Sequence, residues 1–147
     1  MRTAIGGVGL LQLIIIFLAI YIGVLGFAFS FVRALTVKNQ IIKILERYEG
    51  LENSRQIRNA RGEDAFTEYF SKGGLMNTNI TKANCEAMGF PEFIDGGVCV
   101  RAEYAAGGVK YTVATFMQID IPFLQIFSNR IAVRGETHFI DLTWQTP

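Results

Sequence analysis

From Ala4 to Val32 the chain reads AIGGVGLLQLIIIFLAIYIGVLGFAFSFV, with no charged residue and one strongly polar side chain, Gln12. Arg2 and Arg33 bracket this run. At ~1.5 Å of rise per residue, a helix of this length exceeds the ~30 Å hydrocarbon core of a bilayer. It is also longer than the apolar segment of a signal peptide, so it is expected to be retained as a membrane or membrane-derived helix. A core helix of a soluble domain fits poorly, because the remaining chain is too small to cover every side of it.

Within that run Gly9, Gln12, Ala19, Gly23, Gly26 and Ser30 follow steps of three and four, with Ile16 filling the missing step. Such residues share one helix face. Leu13, Ile14, Ile15, Phe17, Leu18, Ile20 and Tyr21 occupy the others. Lipid tails are as apolar as Leu, so greasy surface alone does not pair helices in a membrane. Small residues do, by letting backbones approach closely. The pattern predicts a packing seam toward a partner or another copy.

Beyond Arg33 the apolar positions narrow to a stripe: Val37, Ile41, Ile44, Tyr48 and Leu51, in steps of four, three, four and three. No proline precedes Pro91. One helix is therefore expected from near Thr3 to about Tyr48, roughly 65–70 Å long. Residues 4–32 are its apolar half and 33–50 its amphipathic half, with Gly50 the first plausible stop. Residues 1–50 thus form one unit and 51–147 a small globular domain. Leu51 to Arg61 fits either more helix or a loop. Glu63 to Lys72 reads as a short helix ended by Gly73-Gly74, and Thr81 can cap another that carries Cys85 and stops at Gly89. Met76 to Ile80 between them is polar and turn-rich.

From Gly97 the period becomes two. Val98, Val100, Ala102 and Tyr104 alternate with Cys99, Arg101 and Glu103. Ala105-Ala106-Gly107-Gly108 suits a hairpin turn, and a second strand from Val109 to Ile119 points Val113, Thr115, Met117 and Ile119 one way. Asp120 to Asn129 is an apolar connection containing a proline. A third strand, Arg130 to Leu142, alternates Ile131, Val133 and Phe139 with Arg130, Arg134, Glu136 and His138. Strand follows strand without a helix between, so an antiparallel sheet with one apolar face is expected. It should cover the helix stripe through Val37, Ile41, Ile44, Tyr48, Val113, Met117 and Val133. The fold class is α+β: a long N-terminal helix on a small antiparallel sheet.

Composition changes this picture little. The chain has 147 residues and a net charge of +1. It lacks a long basic block, so nucleic acid is not an expected partner. Arg55, Arg58 and Arg61 line up at helical spacing as a solvated face. Cys85 and Cys99 fit neither a CxxC redox motif nor a zinc site; in an oxidising compartment they would close a loop worth roughly 3 kcal/mol. Arg33, Lys38, Lys43 and Arg47 follow the helix and favour a cytoplasmic domain by the positive-inside rule, whereas the cysteine pair favours the opposite side. The only histidine, His138, sits on a polar strand face, and no GxSxG, HExxH, GxxxxGK[ST] or GxGxxG occurs. Glu63/Asp64 and Asp120/Asp141 lack a partner that spacing justifies. No enzyme, catalytic residue, metal or cofactor is expected. Asn79-Ile80-Thr81 is formally a glycosylation sequon.

A long N-terminal helix, half apolar and half amphipathic, before a small antiparallel sheet and a cysteine pair resembles the type IV pilin and pseudopilin superfamily. The tail YTVATFMQIDIPFLQIFSNRIAVRGETHF resembles that of TadE-like pseudopilins. The resemblance implies a disulfide between Cys85 and Cys99, a domain outside the cytoplasmic membrane, and self-assembly through the apolar helix into an extracellular filament. It also implies pilus-assembly or secretion machinery as a partner and the membrane as the site of the precursor. The alternative is a single-pass anchored accessory subunit of an envelope complex; a ligand-binding anchored domain is disfavoured by the lack of convergent polar groups. The head departs from the family pattern. Prepilins are cut after a glycine, with glutamate five residues beyond; here Gly7 is followed by VGLLQ, which puts uncharged Gln12 in the glutamate's place.

Overall fold

The chain is described by a computed structural model covering residues 2–73, 79–117 and 131–141, with side chains from residue 7 onward. Its frame is α1 (Arg2–Arg47), 46 residues without a break. Glu49 then takes a positive φ of 56° and Gly50 one of 131°. The Gly50 amide donates to the Leu45 carbonyl at 2.9 Å, closing the helix end. A Cβ on Gly50 would lie 3.0 Å from the Tyr111 hydroxyl, so both backbone angle and space favour glycine there.

Among the described residues three short helices follow. In α2 (Leu51–Gln56) the buried Ser54 hydroxyl donates to the Gly50 carbonyl at 2.6 Å. The Asp64 carboxylate caps α3 (Ala65–Ser71) by accepting from the Thr67 amide at 2.7 Å. Asp64, which spacing alone left without a partner, is thus a cap. Thr81 and Asn84 form a capping box on α4 (Lys82–Ala87). Gly89, at φ 81°, follows it.

Among the described residues the sheet has five strands, all antiparallel: β1 (Glu92–Ile94), β2 (Val98–Ala105), β3 (Gly108–Phe116), β4 (Ala132–Glu136) and β5 (Ile140–Asp141). The order is β1-β2-β3-β4, with β5 also pairing with β3. Val100 faces Val113 across β2–β3, and Val113 faces Gly135 across β3–β4. The sheet lies along the upper part of α1, and four contacts set its height. The Thr115 hydroxyl donates to the Ala34 carbonyl at 2.9 Å. A Cβ on Gly135 would sit 2.7 Å from the Lys38 side chain. The His138 amide donates to the Glu46 carboxylate at 2.8 Å, and the Leu51 amide to the Tyr111 hydroxyl at 3.2 Å. β3 therefore runs antiparallel to α1, from the level of Leu51 down to Ala34.

The helix–sheet core contains Val37, Ile41, Leu45, Leu51, Val98, Val100, Val109, Tyr111 and Val113. Met117 is also buried, while Ile44, Tyr48 and Val133 are half-buried. The centre of the buried stripe is Ala34, Val37, Ile41 and Leu45, rather than a line through Ile44 and Tyr48. The difference is one of period: steps of four and three average 3.5 residues per turn, whereas a straight helix has 3.6 and its face drifts about 20° per heptad.

The expected single apolar face is corrected. Ile80, Cys85, Phe90, Cys99, Ala114 and Phe116 form a second cluster on the other side of the sheet, under α4. Both faces of β2 and β3 are thus covered near the Ala34 end, whereas Tyr104, at the hairpin end, is 78% exposed.

The third strand is also corrected. It breaks into β4 and β5, and Ile131 and Phe139 are exposed. Thr137 causes the interruption: its amide donates to the Tyr111 carbonyl and its hydroxyl accepts from the Tyr111 amide. One residue thus satisfies both Tyr111 groups while the edge strand bulges outward. Ile119, Arg130, Leu142, the 120–129 connection and Met76 lie outside the described residues.

Candidate functional site

What the domain leaves uncovered is the lower helix. None of residues 7–33 is buried, and this part of α1 is long and apolar enough to cross a membrane. From Gly7 to Val32 the apolar rod measures about 39 Å, longer than a ~30 Å hydrocarbon core requires. Phe17 at 70%, Val8 at 69% and Phe29 at 67% exposure show how little of the chain's own surface reaches it. This much contiguous apolar surface needs lipid or another apolar surface against it.

The small residues give that rod one low side. A Cβ added at Gly9 or Gly23 would meet nothing within 4 Å among the described residues. Gln12 and Ala19 are exposed; Gly23, Gly26 and Ser30 are partly shielded by their larger neighbours. The Ser30 hydroxyl donates back to the Gly26 carbonyl at 3.0 Å, which satisfies it within its own helix. Read upward, Gly23, Gly26 and Ser30 continue through Ala34, Val37 and Ile41 in steps of three and four. The seam is therefore the downward extension of the face on which the sheet sits. A neighbour lying in it would come up against the lower end of the sheet.

Two grooves flank α1 higher up, one on each side of the buried stripe. The first, about 420 Å³, lies between α1 and α3, where Lys43, Arg47 and Lys72 surround the half-buried rings of Tyr48 and Tyr69. Lys72 pairs with Glu68 and holds its carboxyl below the usual range by hydrogen bond and charge. Burial pushes the Tyr69 phenol up, and the Arg47 guanidinium sits 5.7 Å from the Tyr48 ring centre. The second groove, about 310 Å³, lies between α1 and the broken edge strand, lined by Glu46, Glu49, His138, Phe139, Ile140 and Asp141.

Cys85 and Cys99 are joined as a disulfide with Cα atoms 5.4 Å apart, tying α4 to β2 inside the second cluster. Among the described residues no three His, Cys, Asp or Glu side chains converge as a metal site. Sequence reasoning missed Leu45, which no exposed side of the helix can spare, and the two grooves, which arise from elements distant in the chain. The bulge at Thr137 had a faint signal: a buried threonine two residues after glycine interrupts the apolar alternation.

No protein-family model, curated protein or solved structure matches the chain.

Proposed function

We propose that this protein is a structural subunit that packs its apolar N-terminal helices together, with the α+β domains outside, into an extracellular filament of the pilin kind. The carrying observation is the uncovered rod: an apolar helix with none of residues 7–33 buried and one side lined with small residues. In a bilayer, lipid covers that surface. Once extracted, only other such rods can cover it, and the small-residue side permits the close approach that this needs. Gln12 then lies in a dry core, where an unpaired amide costs on the order of several kcal/mol, so its partner is a backbone or side-chain group of a neighbour. The disulfide suits a domain that works in an oxidising compartment.

A second reading, an anchored accessory subunit of an envelope complex, draws on the same rod as a plain membrane span. Immunogold microscopy of material sheared from cells separates the two. Decorated filaments support the first; label confined to the membrane fraction supports the second.

A further inference from the structure

We propose that the two flanks of α1 at the level of residues 43–49 form a head-to-tail contact between copies, the basic groove of one receiving the acidic flank of the next. This rests on the filament reading only for the presence of neighbouring copies; the apolar seam is a separate surface, lower on the helix.

Charge is the first support. Lys43, Arg47 and Lys72 outnumber the single carboxylate of Glu68 on one side, while Glu46, Glu49 and Asp141 stand on the other. A surface that pairs unlike flanks attracts, and one that pairs like flanks repels, so charge selects the mate as well as the contact.

Shape is the second. On the acidic flank Phe139 is 51% exposed, and its ring lies over Gly108, where a Cβ would come within 2.6 Å of it. Glycine thus gives the ring a backbone floor and leaves its outer side in solvent. On the basic flank the Tyr48 and Tyr69 rings line an open groove large enough for one aromatic side chain. An aromatic knob with acidic neighbours and an aromatic socket with basic neighbours are complementary, and aromatic anchors of this kind carry much of an interface's energy.

Geometry is the third. Glu46 stands one residue, about 1.5 Å, above the midpoint of Lys43 and Arg47 along α1. Copies joined this way are nearly level, so their apolar rods stay side by side. The flanks lie on opposite sides of the sheet-covered stripe, so one partner cannot fill both. The contact is heterologous, and a heterologous contact propagates into a ring or an open filament.

The test co-expresses two differently tagged full-length chains, one carrying Lys43→Cys and the other Glu49→Cys, in cells, with a short thiol cross-linker. The mixed adduct should exceed either like-with-like adduct roughly tenfold, as expected when charge sets the pairing. In parallel, Arg47→Glu should lower sheared filament material by a similar factor, and Arg47→Glu with Glu49→Lys in the same chain should restore it, with unchanged membrane levels of protein. Like-with-like adducts, or filaments that form with no mixed adduct and no effect of Arg47→Glu, overturn the contact while leaving the filament reading intact. Absence of assembled wild-type material overturns both.

Discussion

The Thr115 hydroxyl donates to the main-chain carbonyl of Ala34, 2.9 Å away and 81 positions earlier in the chain. Ala34 directly follows Arg33, the first charge after the apolar run. This bond therefore places the lower end of the sheet at the top of the bare rod. Below it none of the described residues of α1 is buried, and above it the stripe is sealed by β3 and β4.

Thr115→Val removes that donor while keeping the branched shape. The Ala34 carbonyl remains within the helix ladder, so the loss should be near a typical hydrogen bond, about 0.5–1.5 kcal/mol. Thermal melting of the detergent-solubilised chain should show a modest drop with the fold retained.

Leu45 and Ile44 are adjacent, yet their substitutions should differ. Leu45 is fully buried between helix and sheet, so Leu45→Ala should cost about 2–5 kcal/mol. Ile44 borders the basic groove and is only half-buried, so Ile44→Ala should cost clearly less. Denaturant midpoints of the two variants should rank in that order.

Much of this architecture is legible in the residues. The charge-free run and the stripe after it announce one long helix, Thr81 and Gly89 bracket α4, and alternation from Val98 gives the β2–β3 hairpin at Ala106-Gly107. The misses have physical causes. A 3.5-residue period aimed the stripe at Ile44 where 3.6 reaches Leu45. Cys99 read as the polar side of its strand, and the second strand's reading named only the side of Val113, Thr115 and Met117, so the cluster of Cys99, Ala114 and Phe116 under α4 was hidden. β1 has only three residues, too few for a period. The grooves require α3 and the bulged edge to be placed against α1, which no local pattern reveals.

Tyr111 links pH to stability. Its hydroxyl accepts from the buried Leu51 amide, and burial raises its pKa above the ordinary 10.0. A raised pKa means the folded state holds the proton more tightly. That contribution is complete below the ordinary value and is lost as pH rises through the raised one. Tyr111→Phe should leave the Leu51 amide without its partner, costing about 1–3 kcal/mol at neutral pH. It should also make the alkaline fall in melting temperature shallower than in wild type.

The Cys85–Cys99 disulfide closes a loop of separation 14, worth roughly 3 kcal/mol in the chain-entropy model. Replacing both cysteines with Ala should lower stability by that order. Because the sulfurs lie within the second cluster, the loss should appear as early exposure of α4 to proteolysis, before α1 and β3 part.

The most direct measurement concerns Gly23, on the small-residue side of the bare rod, where an added Cβ would meet nothing within 4 Å among the described residues. Gly23→Leu keeps the helix apolar, so insertion into the membrane should be unchanged, but it wedges apart neighbours that rely on close backbone approach. Membrane-inserted and sheared filament material are quantified side by side for wild type and Gly23→Leu. Packing of the rods predicts equal membrane levels with filament material largely lost; equal filament yield from both proteins would contradict it.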